Sequence, residues 1–137
     1  MLCYSIKIAR IFLLLALCAI LTACSSDRSS PESIAKAYVT AVYSGNGEAA
    51  LACYNVAAHN QRQIDFLAEN LVREASSSVK LVENCGGLSD VEILGVHQLG
   101  PSPDNLRVQI KSTFEDGTEV ISFARVHRYQ DEYFISM

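Results

Sequence analysis

The side chains in this sequence that could carry acid–base chemistry are histidines, tyrosines and one arginine. His127 and Arg125 are two residues apart on a predicted strand, and Tyr38 and Tyr54 lie on predicted helices. A histidine beside a tyrosine in a partly apolar cleft can act as a general acid or base. We therefore take these four residues as candidate pocket-lining groups. The alternative is that Arg125 and His127 lie at a sheet rim and meet only water or an acid such as Asp65.

The other titratable residues give no catalytic or metal-binding signature. His97, at a predicted strand end, is expected to bond to backbone, and His59 to cap a helix or face solvent. Asp65 and Glu69 are one helical turn apart and could hold a hard cation weakly, but a solvated acidic helix face is the favoured interpretation. The sequence has no His-x-x-His pair and no glycine-rich phosphate loop. We predict no catalytic residue, no metal and no cofactor.

Five cysteines bear on the redox compartment of the chain. Three of them, Cys3, Cys18 and Cys24, lie at or before residue 24. The remaining pair, Cys53 and Cys85, predicts one disulfide if the chain is exported. That bond would close a loop of about thirty residues and contribute roughly 3–4 kcal/mol in the chain-entropy model. Two unrelated buried thiols are the alternative, whereas a zinc site would need further ligands at short spacing.

The first 23 residues differ in composition from the rest. Lys7 and Arg10 are the only charged residues there, and residues 11–21 are apolar without a break. A basic start, an apolar stretch of about ten residues and a small-residue cleavage site predict a secretory signal peptide over residues 1–23. The stretch is too short to cross a membrane, which takes about twenty apolar residues in a helix.

Residues 21–24 read Leu-Thr-Ala-Cys, which resembles the bacterial lipobox. The resemblance implies that Cys24 receives a diacylglycerol, that the chain is cut before it, and that the new amino terminus is acylated. Two or three acyl chains make a stable anchor, because each buried methylene contributes about 0.8 kcal/mol. Ser25 after the cysteine implies, by the same resemblance, the outer membrane with the domain facing the periplasm. An ordinary signal peptide with a chance cysteine is the alternative.

Length and charge limit the domain count and the partners. Removal of 23 residues from 137 leaves 114, which suits one domain with a real core. The net charge of −4 becomes −6 once the two basic residues of the signal peptide are removed. An acidic chain disfavours nucleic acid and anionic lipid headgroups as partners, so attachment would depend on the acyl chains. We predict a tether over residues 24–30 and one domain over residues 31–137.

The apolar pattern of the domain changes from helical to alternating near residue 91. Ser30 and Pro31 suit a helix start, and Gly45 and Asn46 suit a helix end. The first predicted helix begins at residue 31. The second and third predicted helices cover residues 48–57 and 61–82. The predicted strands cover 91–99, 106–114, 118–128 and 133–137.

Asp116 and Gly117 predict a two-residue hairpin turn between the second and third strands. That register places Ile110 opposite Phe123, and residues 125 and 127 on the helix-facing side. The outer face would then mix charged residues with valines, which makes it a candidate surface for a weak homodimer.

Three helices followed by an antiparallel meander form an α+β layout. The runs 30–39 (Ser-Pro-Glu-Ser-Ile-Ala-Lys-Ala-Tyr-Val) and 44–50 (Ser-Gly-Asn-Gly-Glu-Ala-Ala), with the hairpin 126–135, resemble the cone-shaped superfamily named after nuclear transport factor two, also called cystatin-like. Within it the chain is similar to small bacterial lipoproteins of unknown function. The resemblance implies three N-terminal helices packed on a curled four-stranded antiparallel sheet. Some members are enzymes and many are not, so the fold assigns no reaction.

The hypothesis that the sequence favours is a membrane-anchored envelope lipoprotein whose cone-shaped domain binds an envelope protein or a small apolar ligand without catalysis. One alternative is an isomerase- or hydrolase-like enzyme, which needs a cavity lined by His127, Arg125 and a tyrosine. The other alternative is an immunity or inhibitor lipoprotein, which would present an exposed contiguous patch to its target.

Overall fold

The structure is a computed structural model and describes residues 27–137, so the predicted signal peptide and Cys24 lie outside it. The described chain folds into three α-helices followed by a four-stranded antiparallel sheet, which confirms the predicted α+β class. In chain order the elements are α1 (Pro31–Tyr43), α2 (Gly47–Leu51), a 3-10 turn (Val56–Ala58), α3 (Gln61–Asn84), β1 (Leu88–Gln98), β2 (Asn105–Phe114), β3 (Glu119–Tyr129) and β4 (Glu132–Ile135).

Side-chain caps fix the start of each helix. The Ser30 hydroxyl accepts a hydrogen bond from the Ser33 amide, and Pro31 occupies the first turn of α1. Asn46 caps α2 in the same way, and Asn60 forms a reciprocal capping box with Gln63 at the start of α3. The helix starts at Pro31 and Gln61 therefore agree with the sequence interpretation, because capping is a local property.

The second helix is shorter than predicted, because the chain after α2 pairs with the sheet. α2 ends at Leu51, and Tyr54 forms a parallel bridge to Ile135 of β4. The Ile135 amide donates a hydrogen bond of 2.9 Å to the Cys53 carbonyl. Helical periodicity up to residue 57 gave no indication of this pairing, because the partner strand lies some eighty residues later in the sequence.

The sheet order is β1-β2-β3-β4, so each strand pairs with its neighbour in sequence. The outer edge of β4 is covered by two segments of the same chain. Its Tyr133 amide donates to the Arg28 carbonyl at 3.1 Å, and its Ile135 amide donates to Cys53 as described above. A covered edge does not offer a free ladder to other chains. Contacts with the sheet begin at Arg28, three residues before the predicted start of the domain at residue 31.

The core lies between the sheet and α1, which contacts all four strands, while α2 and α3 pack on α1 and on each other. No helix within residues 27–137 is long and apolar enough to cross a membrane. The fully buried core side chains of largest volume are Phe114, Ile34, Leu71, Ile110, Val108 and Val126.

The β2–β3 hairpin differs from the predicted register by one residue. Its loop has three residues, because the Gly117 amide donates to the Phe114 carbonyl and Gly117 adopts a φ of 87°. A turn followed by a left-handed glycine adds one residue to the loop and shifts every pair by one. Thr113 therefore pairs with Glu119, and Ile110 pairs with Ser122 instead of Phe123.

The shift places long cationic side chains and exposed apolar side chains together on the outer face. The Arg107 guanidinium carbon lies 3.7 Å from the centroid of the Phe123 ring. Lys111, which pairs with Ile121, reaches Glu92 on β1 at 2.9 Å. Such stems cover apolar surface while their charged heads stay in water. This explains why an outer face that mixes charge with Phe123 is compatible with the fold.

The predicted bond between Cys53 and Cys85 is not formed. Cys53 lies beside Ile135 at one end of the sheet, whereas the Cys85 carbonyl accepts from Asp116 at the other end. The two ends of the sheet are separated by eight residues of β2. Eight residues of an extended strand span about 26 Å. A disulfide needs Cα atoms within about 7 Å. The two sulfurs are therefore too far apart to be joined within this chain.

Candidate functional site

The four predicted pocket-lining residues lie on two different faces of the sheet. Tyr38 and Tyr54 are on the helical side, half-buried and buried respectively. Arg125 and His127 are exposed on the outer face, because the three-residue loop turns them away from the helices. The predicted helix-facing position of Arg125 and His127 is thus wrong. The structure brings the tyrosines together and does not bring the histidine to them.

The tyrosine pair makes an edge-to-face contact beneath α3. The two ring centroids are 5.9 Å apart with an interplanar angle of 79°. The Tyr38 hydroxyl donates to the Glu74 carboxylate across 3.3 Å. Burial raises the pKa of Tyr38, and the neighbouring Tyr54 and Glu74 add to this shift. Burial also raises the pKa of Tyr54. Both hydroxyls are therefore protonated at neutral pH.

A small cleft of about 190 Å³ opens between α1, α3 and β3 beside these groups. Tyr38, Tyr43 and Glu74 line it together with Ser78 and Ser122. Its volume is below the range of roughly 300–1,000 Å³ that is usual for small-molecule sites. A protonated tyrosine can donate a hydrogen bond to a bound oxygen, but it cannot serve as a base. The cleft is therefore suited to holding a water or a small polar group.

A larger groove of about 460 Å³ lies on the outer face beside β4, and we call it the terminal groove. It is lined by Phe134 and Ile135 of β4 and by His127 and Tyr129 of β3. No Asp, Glu, Lys or Arg side chain takes part in its lining, which is predominantly apolar. The groove is lined by Asn55, Ala57, Ala58, His59, His127, Tyr129, Phe134, Ile135, Ser136 and Met137.

Two histidines from distant parts of the sequence meet at this groove. His59 ends the link between α2 and α3, and His127 pairs with Phe134 across the strands. The His127 Nδ1 lies 2.7 Å from the Asn105 Oδ1, which fixes the ring against β2. Sequence reasoning assigned His59 to a cap or the surface and missed the groove. No local sequence signal could have indicated the groove, because it forms only when residues 55–59 pack beside β3 and β4.

The other titratable residues that the sequence singled out have structural roles. Asp65 accepts from the Gln61 amide group at 2.8 Å, and Glu69 meets Arg73 at 3.6 Å on the exposed face of α3. No group of three or more His, Cys, Asp or Glu side chains within residues 27–137 is arranged to hold a metal ion. In the same part of the chain, no serine hydroxyl bonds to a histidine or a lysine.

Comparison with known proteins bears on the fold alone. No protein-family model matches the sequence, and no curated protein matches it. A solved structure from Campylobacter jejuni, described as a proposed NTF2-like transpeptidase, superimposes with a TM-score of 0.69. The match covers 78% of this chain and 97% of that chain at 16% sequence identity. The fold is NTF2-like.

Within residues 27–137, the cleft beside Tyr38 is not lined by His127 or Arg125, the residues that the enzyme alternative placed there. That alternative needs a histidine or arginine beside a tyrosine on the helical side of the sheet. The core at that position is filled by aliphatic side chains such as Ile34 and Val108, both fully buried. The larger opening is on the outer face, where His59, His127 and Tyr129 lie in a mostly apolar lining.

Proposed function

We propose that this protein is a lipid-anchored envelope protein whose NTF2-like domain binds a small apolar ligand without catalysing a reaction. The observation that carries the binding function is the terminal groove. A concave site with an apolar lining and a few polar rim groups is the usual form of a small-molecule site. The groove is within the usual volume range, whereas the cleft at Tyr38 is below it.

The groove suits an apolar ligand because its lining offers little charge compensation. Phe134, Ile135 and Met137 supply apolar area, and the two histidines with Asn55 supply polar atoms at the rim. Burial of apolar surface contributes about 25 cal/mol per Å², whereas an unpaired buried charge would be unfavourable. The lining contains no Asp, Glu, Lys or Arg side chain, so the part of a ligand that enters the groove is expected to be uncharged.

The anchor part of the proposal depends on residues 1–24 and not on the domain. The basic start, the short apolar stretch and the Leu-Thr-Ala-Cys run support acylation at Cys24. The acidic net charge supports a hydrophobic attachment over an electrostatic one. An envelope location facing the periplasm follows from acylation together with export.

A non-catalytic role is supported by the separation of Arg125 and His127 from Tyr38 and Tyr54, and by the side-chain bond of His127, which goes to Asn105 and not to His59 or Tyr129 at the groove. His127 and Tyr38 lie on opposite faces of the sheet, and the raised pKa of Tyr38 keeps its hydroxyl protonated. General acid–base catalysis needs the acid, the base and the reacting atoms within hydrogen-bond reach of one another. The arrangement instead provides one apolar groove and one small polar cleft.

The test is native mass spectrometry of the acylated protein, released from envelopes in a mild detergent. We expect a fraction of the protein to carry an apolar small-molecule adduct. Ala58→Phe places a ring in the terminal groove and should reduce that fraction by about tenfold, a loss equal to about 1.4 kcal/mol of binding free energy.

Ser76→Phe is the matched control, because Ser76 is exposed on α3 away from the groove. It should leave the adduct-bearing fraction unchanged. The proposed binding function would be contradicted if the unmodified protein carried no adduct. It would also be contradicted if both variants reduced the adduct-bearing fraction equally.

A further inference from the structure

We infer that the terminal groove and the β3–β4 turn lie against the bilayer in the acylated protein, so that the ligand of the groove is an acyl chain of a membrane lipid. This inference rests on the proposed anchor at Cys24. It adds the orientation of the domain and the chemical class of the ligand, neither of which follows from acylation by itself.

Only a short length of chain separates the proposed anchor from the domain. Arg28 is held by the sheet, because its carbonyl accepts from the Tyr133 amide at 3.1 Å. Cys24 is four residues earlier, so the chain between them spans at most about 14 Å. β3 alone has 11 residues and extends over about 35 Å. The linker is therefore too short to let the domain turn freely above the membrane.

The groove lies close to that attachment point. The Arg28 guanidinium carbon lies 4.8 Å from the centroid of the Phe134 ring, and Phe134 lines the groove. Tyr133 pairs with Arg128 beside the β3–β4 turn. The first residue fixed to the domain thus lies between the turn and the groove. Both features are at the end of the domain that the anchor holds near the lipid.

Exposed apolar side chains lie in and beside the groove. Tyr129 is 49% exposed and Met137 is 59% exposed, and both line the groove. Val56, 38% exposed, lies between the lining residues Asn55 and Ala57. Tyrosine is enriched at membrane–water interfaces because its ring is amphipathic. An apolar rim around an apolar groove fits a hydrocarbon surface better than it fits water.

The local charges are compatible with contact between this surface and lipid headgroups. Arg128 forms an ion pair with Asp131 across the β3–β4 turn, and the two further charges there, on the exposed Glu132 and on the Arg28 guanidinium over Phe134, are opposite in sign. The groove lining has no acidic side chain that would be repelled by phosphate groups. Contact with the bilayer would therefore bury no uncompensated charge from the lining side chains.

The orientation can be measured by tryptophan fluorescence, because the sequence has no tryptophan. Tyr129→Trp places a reporter at the groove. Leu81→Trp places one on the last turn of α3, where Leu81 is 39% exposed. That turn is held at the opposite end of the sheet by the bond from the Asp116 amide to the Cys85 carbonyl. Each acylated full-length variant is reconstituted into phosphatidylethanolamine and phosphatidylglycerol vesicles that contain brominated acyl chains.

We expect both variants to float with the vesicles and the Tyr129→Trp emission to be quenched several times more strongly than that of Leu81→Trp. Flotation with equal quenching, or with stronger quenching at Leu81→Trp, would overturn the orientation while leaving the anchor intact. Protein that carries no acyl chain and does not float would overturn both. In the native mass measurement described above, an adduct with the mass of a fatty acid or phospholipid supports the ligand class, and any other mass overturns it.

Discussion

The backbone carbonyl of Arg28 accepts a hydrogen bond of 3.1 Å from the amide of Tyr133 in the last strand. The Arg28 side chain adds two contacts, because it donates to the Ala52 carbonyl at 2.7 Å and stacks over the Phe134 ring. One residue thus joins the start of the domain to the edge strand and to the loop after α2. It also sets how far the domain can lie from an anchor at Cys24.

We predict that Arg28→Ala lowers the free energy of unfolding by about 1–2 kcal/mol. It removes a hydrogen bond worth roughly 1 kcal/mol and a ring contact worth about 0.5–1 kcal/mol. Arg73→Ala is the matched control. The Arg73 guanidinium lies 3.6 Å from the Glu69 carboxylate in an exposed ion pair, and such pairs contribute roughly 0–1 kcal/mol to stability. Urea unfolding of both variants measures the difference. Equal midpoints would mean that the side-chain contacts of Arg28 with Ala52 and Phe134 do not stabilise the fold.

Ser112 is predicted to tolerate removal of its hydroxyl. The residue is 0% exposed on the helical side of β2, and its Oγ is buried without a hydrogen-bond partner. Because an unsatisfied buried hydroxyl is unfavourable, Ser112→Ala should leave stability unchanged or raise it by about 1 kcal/mol. Ile110→Ala, two residues earlier on the same face, should instead lower it by about 2–5 kcal/mol. A marked loss in Ser112→Ala would show that the hydroxyl binds something inside the fold.

The buried tyrosine pair predicts a loss of stability at alkaline pH. The pKa of Tyr38 and of Tyr54 is raised in the folded state above the ordinary value of 10.0. Below pH 10 both states keep these protons, so stability does not depend on them. Above it the unfolded state releases its protons first, and the free energy of unfolding falls.

Above pH 10, urea unfolding midpoints should fall less steeply with pH in Tyr38→Phe than in the unmodified protein. Tyr129→Phe is the control, since it removes a tyrosine hydroxyl at the groove and leaves the buried pair in place. A Tyr38→Phe curve parallel to that of the unmodified chain would contradict the assigned burial effect.

The parts of the fold that sequence could predict are those with a local cause. Ser30 and Asn60 cap helices through residues three positions away, and the alternation in β2 follows from its own side chains. The β2–β3 register was not predictable from Asp116 and Gly117, because a two-residue and a three-residue loop both accept this pair. The choice between them depends on the packing of all four strands.

The candidate site shows the same division between local and distant causes. Tyr38 and Tyr54 do meet on the helical side of the sheet, but Tyr54 belongs to the segment that bridges to β4 and not to the helix that its periodicity predicted. His127 was predicted on the wrong face of the sheet because the β2–β3 loop has one residue more than expected. The terminal groove combines residues 55–59 with the end of the chain, and such long-range packing leaves no periodic signal in either segment.

The most direct test of the account is the mass of the processed protein and of its Cys24→Ser variant from the same cells. Acylation at Cys24 predicts a mature chain that begins at this residue, carries a diacylglycerol and fractionates with membranes. Cys24→Ser should remain uncleaved and take up no labelled fatty acid. A Cys24→Ser variant that is cleaved normally, or a mature unmodified chain without acyl mass, would contradict the membrane-anchored account.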